Sequence, residues 1–266
     1  MKKAIFALAA VLVVAVMSAG CDTDGPIRIG VNEEVITEEM DFSGFMSVNA
    51  GSAFEVEITR SDSFSVIIRA EESLFDYVEV TKSGSELKIY LNPRHIFTDF
   101  TIGEKTLKAE ITMPAIDELR LSGASRGTIT GFKSRNDFTI DISGASRLEI
   151  VDCEFGNADI EVSGASEVSG NITTGDIEFE VSGASSAKLS GTADEIVLDV
   201  SGASKADMTD FPVQDADIEL SGASEATLNV KRRLDIELSG ASRLYFYGNP
   251  DIGKQDVSGA STIKHK

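Results

Sequence analysis

Short apolar–polar–apolar segments recur along most of this chain. Eight of them come directly before a Ser-Gly-Ala-Ser tetrapeptide. The eight copies begin at Ser122, Ser143, Ser163, Ser182, Ser201, Ser221, Ser239 and Ser258. The residue before each copy is Leu, Ile or Val, and the residue before that is polar or charged. Because side chains two residues apart share one face of a strand, each segment is predicted to be a half-buried β-strand.

A second alternating segment follows most copies, as in the pairs Leu148/Ile150 and Leu244/Phe246, and a glycine-containing turn closes the unit. Successive copies are 21, 20, 19, 19, 20, 18 and 19 residues apart. After Glu118 no segment has the period of an amphipathic helix. Each unit therefore holds two or three short strands, which predicts an all-β fold built as a parallel β-solenoid with coils of about 20 residues.

The tetrapeptide is predicted to form a corner of each coil. The Gly is expected to take a positive φ, the Ala to fill a tight inner corner, and the two Ser to hydrogen-bond to backbone or to the next coil. A leucine-rich repeat has a similar period, but its leucine–asparagine pattern is absent, and a propeller blade needs about 40 residues. The repeat therefore favours a structural role over a catalytic one.

The amino terminus has the features of a secretory signal. Lys2 and Lys3 precede the apolar stretch Ala4–Val16, and the small residues Ser18–Gly20 come directly before Cys21. This order resembles a bacterial lipoprotein signal, in which the cysteine is lipidated, although Ser18 stands where Leu is most usual. No later run is long and apolar enough to span a bilayer. The lipid is therefore the predicted attachment to the cell envelope, at the outer membrane, with the side it faces left open.

The chain is predicted to consist of a signal peptide, a tether and one domain. Residues 1–20 would be removed as a signal peptide, and the acidic residues 21–39 are predicted to be a tether. Residues 40–266 are predicted to form one β-helix domain, in which 40–115 make irregular first coils and 116–266 make the coils that carry the tetrapeptide. Terminal solenoid units are usually atypical because they cover the open core. Within the first part, residues 71–77 are predicted to be a short helix or turn and residues 92–106 a surface loop.

Charge and cysteine content limit the partners. The formal net charge is −20, and it becomes −22 once Lys2 and Lys3 are lost with the signal. Such an acidic body argues against a nucleic-acid partner. Besides Cys21 the chain has only Cys153, so an internal disulfide and a cysteine-rich metal site are excluded. Cys153 is expected to be a small buried apolar residue.

Several segments together resemble a known family. They are "FSGFMSVNAGSAFEVEITRSDSFSVIIRAEESLFDYVEVTKSGSELKIYL", "AEITMPAIDELRLSGAS" and the repeated "SGAS" units. Over about residues 40–262 this layout is similar to the bacterial DUF2807 family, described as a putative auto-transporter adhesin head GIN domain. The resemblance implies a right-handed parallel β-helix on a secreted or lipid-anchored protein. It brings no catalytic residues.

Short matches to catalytic motifs occur without the context that catalysis needs. Gly123–Gly127 fits G-x-S-x-G, but strand rather than helix is predicted to follow it. Ser185–Lys188 and Ser261–Lys264 fit S-x-x-K, but the companion motifs are missing. The only histidines are His95 and His265. No catalytic residue and no cofactor is therefore predicted.

The polar position two residues before each tetrapeptide is acidic in seven of the eight units. These residues are Asp141, Glu161, Glu180, Asp199, Glu219, Glu237 and Asp256. In a solenoid they would form a column, in which like charges about 5 Å apart repel by about 1 kcal/mol per pair even in water. Three explanations remain open: a solvated face, a face that binds a divalent cation such as Ca²⁺, and a strip for a cationic partner or a sugar polymer.

The leading functional hypothesis is a non-enzymatic surface binding or adhesion module. A periplasmic structural or regulatory scaffold is one alternative. A carbohydrate-active β-helix enzyme is the second alternative. Coils this similar, however, would give a catalytic acid and a catalytic base nearly the same environment. The chain has no Trp, and its dense aromatic cluster is Tyr245, Phe246 and Tyr247, of which Phe246 is expected to point inward. The edge of the last coil is a candidate for pairing with another molecule; ligand and oligomeric state stay open.

Overall fold

The computed structural model describes residues 34–92 and 106–266, which contain one short helix and 21 strands. These elements are β1 (Val35–Met40), β2 (Ser47–Ala50), β3 (Glu55–Arg60), β4 (Ser65–Glu71), α1 (Glu72–Phe75), β5 (Val78–Ser83), β6 (Glu86–Leu91), β7 (Leu107–Met113), β8 (Glu118–Leu121), β9 (Arg126–Thr130), β10 (Phe138–Ile142), β11 (Arg147–Glu154), β12 (Ala158–Val162), β13 (Glu167–Thr173), β14 (Asp176–Val181), β15 (Ser186–Thr192), β16 (Glu195–Val200), β17 (Lys205–Leu220), β18 (Glu225–Leu238), β19 (Arg243–Tyr247), β20 (Asp251–Val257) and β21 (Thr262–His265). The helix confirms the turn or helix predicted at residues 71–77.

Some predicted features lie outside the described residues. They are the signal peptide, Cys21, most of the predicted tether, His95 and nearly all of the predicted loop at 92–106. Within the described ranges, no helix has the length and apolar character needed to cross a membrane.

From β8 onward the chain alternates between two parallel stacks of strands. The first stack holds the strands that precede each tetrapeptide: β8, β10, β12, β14, β16, the second halves of β17 and β18, and β20. The second stack holds the strands that follow it: β9, β11, β13, β15, the first halves of β17 and β18, β19 and β21. The predicted parallel β-helix is thereby confirmed, with about 7 turns of about 20 residues.

The N-terminal coils are stacked out of sequence order. Strand β2 lies between β6 and β8, and β3 lies between β7 and β9, all in parallel. Antiparallel strands then close this end, with β5 on β6, β4 on β7, and β1 on the outer edge of β4. The first strand begins at Val35, inside the range predicted as a tether. Its residues Ile36 and Met40 pair with the buried Ala70 and Val66 and extend the apolar side of the sheet.

The interior is filled by columns of apolar side chains that continue from coil to coil. Ile142, Val162, Val181 and Val200 are fully buried and directly paired between neighbouring strands. A column of this kind removes apolar surface from water in every coil, which is the main stabilising contribution in a fold whose units contact only their neighbours.

The tetrapeptide forms the corner between the two stacks, as predicted. All eight glycines have φ between +62° and +79°. At Gly183 a Cβ atom would lie 2.4 Å from the carbonyl oxygen of Gly164 in the preceding coil. That same oxygen accepts a hydrogen bond of 2.8 Å from the backbone N–H of Ala184. Coils approach closely here, so glycine is required by both its φ angle and the available space.

The prediction that the Ala fills the inner corner is wrong, because the Ala side chains are exposed and the fourth residue of the motif is buried. The buried residues are Ser125, Ser146, Ser166, Ser185, Ser204, Ser224 and Ser242, each 0–3% exposed. The left-handed glycine interrupts strand alternation, which turns the Ala outward and the Ser inward. The expected bond to the next coil is confirmed in the interior coils, where the Oγ atoms of Ser166, Ser185 and Ser204 accept from the preceding Ser N–H at 3.3 Å.

Candidate functional site

The acidic residues that precede the tetrapeptides lie side by side on the outer surface of the first stack. We call Asp141, Glu161, Glu180, Asp199, Glu219, Glu237 and Asp256 the acidic ladder. Each is the direct partner of the next in the strand register. Neighbouring strands are about 4.8 Å apart, so the carboxylates repeat at about that distance. The sequence therefore predicted the placement of this set.

Basic residues neutralise the ladder at its ends. Arg120 Nε lies 4.0 Å from Asp141 Oδ2, and Lys254 Nζ lies 2.5 Å from Glu237 Oε2. The four central residues, Glu161, Glu180, Asp199 and Glu219, form no ion pair with any residue that the structure describes. The negative charge is thus concentrated in the middle of the stack.

A second acidic column runs beside the central ladder. Asp159 pairs with Glu178, and Asp217 pairs with Asp235, with Val197 between the two pairs. Where the columns meet, a shallow depression of about 230 Å³ is lined by Glu178, Glu180, Asp199, Asp217 and Glu219.

Two ladder residues have perturbed acidities. Partial burial, together with the nearby charges of Asp141, Glu180 and Asp159, raises the pKa of Glu161 above the usual value for a glutamate. Partial burial and the charge of Glu180 likewise raise the pKa of Asp199. Both shifts have the sign expected where carboxylates repel one another and lack a basic partner.

The ladder does not enclose a metal site in the part of the chain that the structure describes. No three Asp, Glu, His or Cys side chains there are grouped closely enough to hold one ion. A cation held by the ladder would have to bridge oxygens of successive strands along an open surface. The predicted Ca²⁺ binding stays a prediction.

The outer surface of the second stack differs in charge. Its acidic and basic side chains alternate and form ion pairs, as in Arg147–Glu167 at 3.0 Å and Lys205–Glu225 at 2.8 Å. The solenoid therefore presents one strongly acidic surface and one mixed surface.

The mixed surface contains a concavity that the sequence did not reveal. An extra residue shifts the strand register in β11 between Ile150 and Cys153, opposite β13, and another shifts it in β17 between Asp207 and Asp210, opposite Lys188 and Ser190 of β15. They frame a depression of about 450 Å³, which we call the furrow. Its polar lining residues are Glu149, Asp152, Ser169, Asn171, Lys188, Ser190 and Asp210. The one feature of the sequence that could have indicated the furrow is the irregular spacing of Gly170 and Gly191 after their tetrapeptides.

The serines of two of the rejected catalytic motifs, Ser125 and Ser185, are in the interior. Ser125 is buried, and its hydroxyl donates a 2.8 Å hydrogen bond to the Ser122 carbonyl oxygen. Ser185 is also buried, and its Oγ accepts from the Ser166 N–H. Cys153 is buried as predicted, and burial raises the pKa of its thiol.

The aromatic cluster has the predicted alternation. Phe246 points inward and is 8% exposed, whereas Tyr245 and Tyr247 lie on the outer side. Lys266 Nζ is 4.2 Å from the centre of the Tyr245 ring, which is a cation–π contact. In the last coil Ile252 and Val257 are 42% and 40% exposed.

Known proteins share this sequence pattern and fold. A family model described as "Putative auto-transporter adhesin, head GIN domain" (DUF2807) matches residues 44–250. A putative adhesin from Parabacteroides merdae superposes with a TM-score of 0.80 at 15% identity, covering 88% of this chain and 97% of its own. A putative lipid binding protein from Parabacteroides distasonis gives 0.74 at 20% identity, covering 88% and 98%. No curated protein matches the chain. At these identities the structural likeness is one of fold.

Proposed function

This chain belongs to the DUF2807 family, and from that membership we propose that it is a non-enzymatic binding module of the bacterial cell envelope. The family and its structural neighbours carry adhesin or lipid-binding descriptions, and these describe binding rather than catalysis. In this proposal the solenoid is a rigid body that presents its outer surfaces to a partner.

The observation that carries the proposal is the unbroken register of the acidic ladder across seven strands. Equivalent side chains at equal spacing make an extended uniform surface. A catalytic pair would instead need two groups whose environments differ enough to separate their pKa values, whereas the ladder residues occupy equivalent positions in successive coils. Uniform surfaces of this kind suit a solenoid that binds along its length.

We further propose that Cys21 is lipidated and holds the body at the outer membrane. The apolar stretch Ala4–Val16 followed by Ser18–Gly20 and Cys21 supports this assignment. Thirteen residues lie between Cys21 and the first strand, which begins at Val35.

The test is protease shaving of intact cells, followed by detection of the tetrapeptide region. Wild type is compared with Cys21→Ala, and Cys153→Ala serves as the matched control because it removes the other cysteine. The same cells are labelled with a fatty-acid probe and fractionated. We expect the protein to carry the probe and to stay with the membrane fraction in wild type and Cys153→Ala, and to lose both properties in Cys21→Ala. Equal labelling of Cys21→Ala would disprove the anchor.

Shaving also separates the functional alternatives. Cleavage on intact cells supports a surface binding module. Protection until the outer membrane is opened would replace adhesion with the periplasmic scaffold. Release of reducing ends from a polysaccharide by the purified protein would establish the enzyme instead.

A further inference from the structure

We propose that the furrow is a carbohydrate-binding subsite that takes a segment of a neutral oligosaccharide. This inference rests on the proposed binding function and gives it a location and a ligand class. The furrow lies on the mixed surface, on the other stack from the acidic ladder.

The shape of the furrow suits an extended ligand. Its lining residues come from four neighbouring strands, β11, β13, β15 and β17. Three strand intervals of about 4.8 Å make it about 14 Å long. The irregular strands create the depression: Asp152 has φ +50°, and Gly170 has φ +137° with no room for a side chain beside Ile150. Bulges that re-aim side chains are common beside functional sites.

The side chains in the furrow have hydrogen-bonding capacity that the protein does not use. Glu149, Ser169, Lys188 and Asp210 make no side-chain hydrogen bond or ion pair with another described residue. Asn171 Nδ2 donates to Ser190 Oγ at 3.3 Å, which leaves the Asn171 Oδ1 atom as an acceptor. Carboxylates accept hydrogen bonds from hydroxyl groups, whereas the ammonium and amide groups donate them. Such a mixture of donors and acceptors within 14 Å suits adjacent sugar hydroxyls.

The charges in the furrow favour a neutral chain over a polyanion. Glu149, Asp152 and Asp210 contribute three negative charges, and Lys188 contributes one positive charge. Asp152 is already paired with Lys133 at 3.4 Å. A polyanion would meet two further carboxylates, and a cationic peptide would find far more charge on the acidic ladder. The half-buried Val151 and the bare backbone of Gly170 provide a small apolar floor for the C–H face of a sugar.

The test is a titration of the full-length protein in detergent with β-linked tetrasaccharides of glucose, mannose, galactose and N-acetylglucosamine. Binding is followed by calorimetry and by ligand-detected NMR. The furrow variant is Asn171→Ala with Asp210→Asn, and Lys188→Met is a second variant. The matched control, called the ladder control, is Glu180→Gln on the ladder with Asp217→Asn in the acidic column beside it. Every substituted side chain lies on an outer surface, so all variants are expected to fold. Their melting temperatures check this.

We expect one of the tetrasaccharides to bind, and the furrow variants to weaken it by about tenfold or more, because each loses hydrogen bonds to charged or amide groups. The ladder control should leave the affinity unchanged, and raising NaCl to 0.5 M should have little effect on a neutral ligand. Failure of all four sugars to bind at about 10 mM, or equal affinity in wild type and furrow variants, would overturn the inference. A strongly salt-dependent interaction lost in the ladder control would identify a cationic partner instead.

The outcome also separates this inference from the broader proposal. If the purified protein adheres to cells or envelope material, and the furrow variants adhere equally well, the binding function stands and the furrow is not its site. If wild type and variants bind neither the cells, the envelope material nor the tetrasaccharides, the proposed binding function and the carbohydrate subsite are both wrong.

Discussion

The backbone N–H of Ser146 donates a hydrogen bond of 3.3 Å to the Oγ atom of Ser166, one coil further along the solenoid. The same relationship joins Ser166 to Ser185, and Ser185 to Ser204. All of these residues are buried, so no solvent replaces the bond. The inner corner is therefore held by side chains that satisfy the backbone of the preceding coil.

This relationship predicts unequal effects of two similar substitutions. Ser166→Ala leaves the buried Ser146 N–H without its acceptor, and we expect a loss of about 1–3 kcal/mol in the free energy of unfolding. Ser146→Ala removes an Oγ atom that has no partner among the described residues, so it should be neutral or slightly stabilising. Denaturant unfolding of both variants measures the difference. Equal losses would show that the serine column acts only by filling space.

A second pair of substitutions separates backbone strain from steric contact at glycine. Gly131 has φ +77° and nothing within 4 Å of an added Cβ, whereas Gly183 has φ +78° and would clash with the Gly164 carbonyl. Gly131→Ala should lose about 1–2 kcal/mol from the left-handed conformation alone. Gly183→Ala should lose more than about 3 kcal/mol, because the coils must also move apart. Similar melting temperatures for the two variants would contradict the close approach of coils at the corner.

The raised pKa values of Glu161 and Asp199 predict a pH-dependent effect. The folded protein binds these two protons more tightly than the unfolded chain does, so protonation stabilises the fold. The contribution is fully present below the unfolded pKa and is lost as pH rises through the higher folded pKa. Glu161→Gln with Asp199→Asn should therefore raise the melting temperature at pH 7 and change it little near pH 4. The difference in melting temperature between variant and wild type is measured at each pH. Asp207 and Asp235 have lowered pKa values and make both proteins less stable as pH falls, and this shared effect cancels in the difference.

The cation hypothesis for the acidic ladder has its own test. If Ca²⁺ bridges carboxylates of neighbouring strands, millimolar Ca²⁺ will raise the melting temperature more than NaCl of equal ionic strength. Glu180→Gln with Asp199→Asn will then abolish the difference, whereas Glu149→Gln on the other stack will preserve it. A melting temperature that does not respond to millimolar Ca²⁺ ends the hypothesis and leaves two explanations, a solvated face and a strip for a cationic partner or a sugar polymer.

The N-terminal edge strands carry charges on their core side. Glu38 in β1 pairs with the buried Ile68, and Lys82 in β5 pairs with the buried Leu87. Inward-pointing charges prevent edge strands from pairing with other chains. Glu38→Val with Lys82→Val should therefore cause self-association, measured by light scattering as a mass that rises with concentration. Thr37→Val, on the opposite side of β1, is the control and should leave the mass unchanged.

The sequence predicted the features that repeat. The spacing of the tetrapeptides and the Leu, Ile or Val before each one were enough to predict the coil, the register of Asp141 with Glu161, and the inward position of Phe246. Each of these follows from a period of two within a strand and a period of about 20 between strands.

The features that the sequence did not predict arise where the period breaks. The positive φ of Gly144 was predicted, but its effect on the strand alternation, which places Ala145 outside and Ser146 inside, was not. The placement of β2 between β6 and β8 depends on long-range pairing that carries no repeat signal. The furrow depends on bulges near Cys153 and Ser190, each only one residue out of register.

The two ends of the solenoid differ in how well they are covered, so unfolding is expected to begin at one of them. At the N-terminal end α1 and the antiparallel strands β1, β4 and β5 cover the first coils, whereas every residue of β20 is exposed. Each coil gains its stability from its neighbours, so a coil with one neighbour opens first. Loosening should start at β20 and β21 and advance one coil at a time, leaving the N-terminal coils folded. The solenoid would then lose its structure gradually from the C-terminal coil, and the coils covered by β1, β4 and β5 would be the last to unfold.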